Sequence, residues 1–426
     1  MIKTTNLKNN LRTILVPVSG TEAVTVLVMI KVGSRYETPE LSGASHFIEH
    51  MMFKGTKRRP TTLDISKELD SVGASYNAFT GKSYTGYYAK VPAEYFPLAV
   101  DLLHDMIFNS KFAPAELARE RKVIIEEIKM YEENPMMHIE DLLEEKMLEG
   151  NPVGWNIAGT KKTMTDMKRS ALLNFRERNY VPSNLVVAVA GKLPNNVEKV
   201  INAKFGQVKI NKTESANFLS YKNVGCQCCY PKVAVQNKET EQIQLAFGFL
   251  SPSLRDEKND LLADVLGVIL GGTMSSRLFI AVRERKGLAY YIRASQGAYD
   301  DVGVFTVRAG LDKARLPMAA KVIFNELAAI KKKGPTAAEL KLAKNYLRGK
   351  MKLGMEDSSA QADFYARQEL LLNKIESPES LYKKIEKITV KEIQKIANQI
   401  LCEQNMTVAA IGPFSSEKNL LKIIGL

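Results

Sequence analysis

The run Asn184-Leu185-Val186-Val187-Ala188-Val189-Ala190-Gly191 recurs in the other half of the chain as Asn405-Met406-Thr407-Val408-Ala409-Ala410-Ile411-Gly412. Each copy is a strand-length apolar run closed by glycine. Each is followed by a helix-like stretch, residues 197–205 in one case and 417–424 in the other. Strand-like runs at 24–31 and 242–249 each precede a long helical stretch, and Pro114-Ala115-Glu116-Leu117 has a looser echo in Pro335-Thr336-Ala337-Ala338-Glu339-Leu340. A duplication of this kind constrains the fold to two copies of one unit rather than a single large sheet. We expect an α+β protein with two homologous sheet-plus-helices domains in tandem, over 1–210 and 233–426. The linker, 211–232, is where Lys, Asn, Ser and Thr interrupt the periodicity. A length of 426 residues, 45% of them hydrophobic, is enough for two or three cored domains.

The chain has four histidines, and two of them, His46 and His50, stand four apart with Glu49 just before the second. On a helix that spacing puts all three on one face. Two imidazoles one turn apart can hold one zinc ion, and a carboxylate beside them can take a proton from water. The order H-x-x-E-H reverses the commoner H-E-x-x-H zinc motif. A plain amphipathic helix with two solvated histidines is the alternative. Against it, Phe47, Ile48, Met51, Met52 and Phe53 make the helix apolar on most sides, so it should be buried, with Ser42 or Ser45 as its cap. Buried histidines and a buried glutamate need partners, and a metal supplies them.

A tetrahedral site that keeps one position for water needs a third protein ligand. Residues 114–128 read as a helix with Pro114 in its first turn and Leu117, Ile124 and Ile128 on its apolar face. Glu120 and Glu127 are seven apart and share a face, whereas Glu126 lies about 100° further round. Spacing alone leaves Glu126 and Glu127 both open.

These motifs resemble the inverzincin family of pitrilysin, insulin-degrading enzyme and the mitochondrial processing peptidases, most closely its short, single-unit bacterial members. The resemblance implies one Zn2+ per chain, held by His46, His50 and Glu127. It implies Glu49 as general base and Glu120 as an acid that orients a ligand histidine. Residues 73–80 and 84–91 read as a hairpin turning at Gly81-Lys82-Ser83. By resemblance, Asn77-Ala78-Phe79 is a sheet edge beside the metal where a substrate peptide adds as one more strand. Phe79 reads equally well as a core aromatic. Arg283 and Tyr290, seven apart, match a family pair that reaches towards the scissile peptide. A guanidinium and a phenol can donate to a carbonyl or to the oxyanion formed from it. The second copy has no histidine, and its helix starting near Pro335 carries Ala343 and Lys350 where the first has Glu120 and Glu127.

The family architecture further implies that this chain is half of a clamshell peptidase. A homodimer would complete it, with Arg283 and Tyr290 contributed in trans. The expected activity is a zinc-dependent endopeptidase acting on oligopeptides or unfolded polypeptide segments. The alternative is a non-catalytic or partner-dependent subunit of a heteromeric processing peptidase.

A formal charge of +13 and a pI near 9.3 raise the question of nucleic acid. Lysine is spread along many helices, however, and no recognition motif accompanies it, so no nucleic-acid partner is expected. No run is long and apolar enough for a membrane partner. The first residues have no apolar signal core, which points to a cytoplasmic protein, with a mature mitochondrial form as the alternative. Cys226, Cys228 and Cys229 lack a second pair or nearby histidine and read as reduced thiols. His104 and His138 carry no motif and read as structural.

Overall fold

The computed structural model describes residues 2–209, 217–222 and 231–426. Cys226, Cys228 and Cys229 lie outside them. The first sheet has six strands: β1 (Lys3–Asn6), β2 (Arg12–Pro17), β3 (Ala23–Ile30), β4 (Ser75–Thr80), β5 (Thr85–Pro92) and β6 (Leu185–Gly191), in the order β1-β2-β6-β3-β5-β4. The second has five: β7 (Lys232–Asn237), β8 (Gln242–Ser251), β9 (Ala289–Ala298), β10 (Gly303–Asp312) and β11 (Met406–Gly412), in the order β7-β11-β8-β10-β9. The repeated apolar run forms β6 in one sheet and β11 in the other. Each pairs parallel with one neighbour (β2 or β7) and antiparallel with the other (β3 or β8). The two halves therefore share one topology, as the duplication implies.

The helices that matter here are α1 (Ala44–Met52), α2 (Thr62–Asp70), α3 (Phe96–Asn109), α4 (Pro114–Glu133), α5 (Pro135–Met147), α6 (Lys161–Asp166), α7 (Arg169–Asn179) and α8 (Val197–Lys204) in the first half of the chain. The second half adds α9 (Glu257–Gly267), α10 (Leu316–Lys333), α11 (Ala337–Gly354) and α12 (Ser358–Arg367).

Every residue of β6 and of β11 is buried. A strand half exposed to water alternates apolar and polar residues, whereas a strand covered on both faces reads as a continuous apolar run. The covering elements come from unexpected places in the chain. One compact unit comprises Met1–Ile128, Trp155–Leu219 and Met351–Ser377; the other comprises Lys129–Gly154, Ser220–Lys350 and Pro378–Leu426. A segment of each half of the chain is thus built into the unit of the other, where the sequence pattern suggested one cut at 211–232. In the first unit, Ala362, Tyr365 and Ala366 of α12 pack on Ile14, Leu27, Met29, Val186 and Ala188 of the sheet. Thr25 Oγ1 meets Ser358 Oγ at 2.8 Å on that face. In the second, Ile139 and Leu143 of α5 pack on Ala234, Ala246, Ala409 and Ile411. The approach is close: a Cβ on Gly248 would stand 3.0 Å from Met147 Sδ and 3.1 Å from Leu143 Cδ1, so those side chains would have to shift to admit it. The opposite face of the first sheet buries α1, α3 and the inner faces of α4 and α7 in one core that includes Phe47, Leu103, Ile124 and Phe175. His104 belongs to this core region as an aromatic partner, its ring 5.2 Å from Phe108 and 5.4 Å from Phe205.

Among the described residues no helix is long and apolar enough to cross a membrane.

Candidate metal centre

Helix α1 is short, and nothing in its own sequence caps it. Its N-cap is Gly43, in the left-handed region at φ 94°, without a side-chain bond. A Cβ there would fall 2.4 Å from Met164 Cε and 2.6 Å from the Ala158 carbonyl oxygen, so the turn into the helix requires glycine. Neither Ser42 nor Ser45 provides the expected cap. Ser45 already lies inside the helix, and the N–H groups of Gly43 and Ser45 instead donate to the Glu37 carboxyl, each at 2.7 Å. Burial pushes Glu37 up to about 8, against the lowering effect of those two N–H groups and of Lys82. Phe47, Ile48, Met51 and Met52 are fully buried and hold the helix against the core.

The remaining face carries His46, Glu49 and His50. The two Nε2 atoms stand 3.3 Å apart, with the rings edge-on at 4.6 Å between centroids. From α4, Glu127 brings a carboxylate oxygen to 3.8 Å from His46 Nε2 and 3.6 Å from His50 Nε2. Glu126 is exposed while Glu127 is half-buried, so the helix itself decides what spacing had left open. Two turns further back, Glu120 accepts from His50 Nδ1 at 3.2 Å and also meets the Lys54 ammonium at 2.8 Å. A carboxylate on Nδ1 selects the tautomer that leaves the Nε2 lone pair free. Burial, and then the neighbouring His50, push His46 down to about 4, so its imidazole is neutral at physiological pH. A neutral imidazole is the ligand form.

The geometry fits a metal. Zinc–nitrogen bonds of about 2.0–2.1 Å at a tetrahedral angle place the two nitrogens about 3.3–3.4 Å apart, and the observed Nε2 separation is 3.3 Å. Among the described residues, His46, His50 and Glu127 form the one group of three side chains able to hold an ion, with candidate ligand atoms within 4.8 Å of one another. In the second unit the corresponding helix, α11, presents the buried Ala343 and the exposed Lys350 instead of acids.

Glu49 sits beside this set. Burial raises its pKa, opposed by a hydrogen bond from Thr80 and by His50, while Glu127 adds to the rise. Thr80 Oγ1 donates to Glu49 Oε2 at 2.5 Å. Thr80 ends β4, the edge strand of the sheet, which also carries Asn77, Ala78 and Phe79. Phe79 is half-buried, edge-on to Tyr84 at 6.1 Å, with its ring over Gly86. Sequence reasoning missed Glu37, Lys54 and Thr80. None lies at a motif spacing, although Thr80 is a β-branched hydroxyl on the strand already singled out.

Arg283 and Tyr290 belong to the second unit. Arg283 is exposed, with its guanidinium carbon 4.8 Å over the Phe279 ring. Tyr290 is 65% exposed near the start of β9, the edge strand of the second sheet. It lines a cleft of about 490 Å³ with Glu241, Gln242, Asp312 and Arg315.

Comparison with known proteins gives the family and the fold. Residues 12–161 match the family model described as insulinase, peptidase family M16, and residues 166–347 match the one described as peptidase M16 inactive domain. The uncharacterized zinc protease YmxG of Bacillus subtilis is 34% identical over 418 residues, covering 97% of this chain and 98% of that protein. The uncharacterized zinc protease ML0855 of Mycobacterium leprae is also 34% identical, covering 98% of this chain and 93% of its own. The crystal structure of a protease from Helicobacter pylori superposes with a TM-score of 0.91 at 23% identity, covering 97% of this chain and 99% of that one. At that identity the likeness speaks for the fold.

Proposed function

The chain belongs to peptidase family M16, the insulinase family, and on that premise we propose that it is a zinc-dependent endopeptidase of oligopeptides or unfolded polypeptide segments. The observation that carries the reading is the convergence of His46 Nε2, His50 Nε2 and a Glu127 carboxylate oxygen at near-ligand spacing. These three would hold one Zn2+ per chain. When bound, zinc supplies Lewis acidity, bringing the pKa of a water towards about 7 and polarising a peptide carbonyl. Glu120 keeps His50 in its ligating tautomer. Glu49, in a largely buried setting, takes the proton of the attacking water and later delivers it to the leaving amine. The substrate adds as a strand to the edge of β4 along Asn77, Ala78 and Phe79, so that main-chain bonds hold it and sequence preference is weak. Arg283 and Tyr290 donate to the scissile carbonyl and to the oxyanion that forms from it. In this reading they come from the second chain of a homodimer that closes a chamber around the peptide.

The test is hydrolysis of a quenched-fluorescent peptide library by the purified chain and by Glu49→Gln, with metal content measured for both. Cleavage by the parent, lost in a Glu49→Gln variant that still holds zinc, supports the peptidase and the role of Glu49. A chain that binds no zinc overturns the reading. Mixing inactive His46→Ala and Arg283→Ala chains tests the shared site. Activity returns if the pair of residues acts in trans and stays absent if it does not.

A further inference from the structure

Glu49 has a single hydrogen-bond donor among the described residues: the Thr80 hydroxyl, 31 positions away in another element. A separation of 2.5 Å is at the short end for an O–H donating to a carboxylate, where charge assistance makes the bond about twice as strong as a neutral one. We propose that Thr80 is the positioning residue for Glu49, holding Oε2 so that Oε1 is the oxygen presented to the proton of the attacking water. This rests on Glu49 being the proton acceptor of the reaction.

Thr80 is suited to this because its own position is over-determined. It pairs with Thr85 at the end of the β4–β5 hairpin. The turn that follows is closed by Gly81 N–H donating to the Tyr84 carbonyl at 2.8 Å. A second segment clamps that turn from outside, with Ser34 N–H on the Gly81 carbonyl at 3.2 Å and Arg35 N–H on the Lys82 carbonyl at 3.1 Å. The same segment runs on to Glu37, which holds the start of α1 through Gly43 and Ser45. The contacts form a closed circuit from α1 to Glu49, Thr80, the hairpin turn, residues 34–37 and back to α1. Threonine fits this circuit better than a longer donor, since a β-branched side chain has few χ1 positions to lose. Thr80 also stands on the edge strand proposed to receive the peptide, so substrate and base share one rigid reference. Without the donor, Glu49 is a largely buried carboxyl free to turn, and a displacement of about 1 Å at a reacting group costs about a hundredfold in rate.

The experiment compares Thr80→Val and Thr80→Ser with the parent, reading kcat and KM on one fluorogenic peptide, zinc content by equilibrium dialysis, and thermal midpoint. Valine keeps the shape and removes the donor; serine restores the donor. We expect Thr80→Val to lose about ten- to a hundredfold in kcat, with KM and zinc content unchanged, and Thr80→Ser to stay within about threefold of the parent. Parental kcat in Thr80→Val overturns the proposal. So does an equal loss in Thr80→Ser, which would make the methyl group rather than the hydroxyl responsible. Loss of zinc in Thr80→Val would place its role in the metal site and not at the base. A zinc-loaded parent that cleaves no peptide overturns the peptidase reading itself, and the Thr80 proposal with it.

Discussion

Replacing Glu37 by alanine should loosen the start of α1 without unfolding the sheets. The first four N–H groups of a helix have no partner inside it. In α1 those of Gly43 and Ser45 are served by Glu37, which is only 5% exposed, and the N-cap glycine has no side chain to substitute for it. Stranding a buried donor costs about 1–3 kcal/mol. Two of them, with some recovery by water entering the gap, give a local penalty of about 2–4 kcal/mol. At about 1.4 kcal/mol per decade, opening of this turn becomes about 30- to 700-fold more frequent. Hydrogen exchange read by mass spectrometry on peptides covering residues 41–53 measures that directly. It also avoids assuming that a two-unit chain unfolds in one step. Protection should fall by that factor in 41–53 and stay parental in β6 and β11. Unchanged exchange in 41–53 would refute the cap. A loss spread evenly over both sheets would show that Glu37 supports global stability rather than the helix start.

Two further expectations follow from the same residues. Glu120→Gln keeps the shape but weakens the bond that orients His50, and zinc affinity should drop about 10- to 100-fold. Chelator competition checks this, and a parental affinity would show that His50 is oriented by other means. Burial pushes Glu37 up to about 8, above its unfolded value of about 4.3. A group raised in this way contributes stability that is complete below the unfolded value and is lost as pH rises through the folded one. Denaturant midpoints of the parent should therefore decline between about pH 6.5 and pH 8, above the range in which His46, held down to about 4, acts in the opposite direction. Asp260 and Asp264, pushed by burial up to about 6 and about 7, act in the same direction, so Glu37→Gln should flatten the decline without abolishing it. A Gln variant with the parental slope would show that Glu37 does not titrate in this range.

Local sequence carried much of this protein because its strongest signals are periodic. The doubled apolar run of β6 and β11 implied two equivalent sheets, since a strand buried on both faces must be apolar throughout. The spacing of His46, Glu49 and His50 implied one helical face, and Glu120 and Glu127 implied another, because helical geometry is the same wherever a helix sits. Resemblance to known peptidases then joined the two faces into one site. Tertiary structure alone decided the rest. The exchange of α5 and α12 between the units could not be read from any window, since each segment is an ordinary amphipathic helix whose partner sheet lies far away in sequence. Capping rules are local and point to Ser42 or Ser45 for α1, yet Glu37 fills the role from outside the helix. Lys54 on Glu120 and Thr80 on Glu49 are likewise contacts between elements. Sequence determined the elements and the ligand-bearing faces, through interactions a few residues apart. Packing determined which carboxylates are capped, oriented or held, because those bonds depend on where distant segments come to rest.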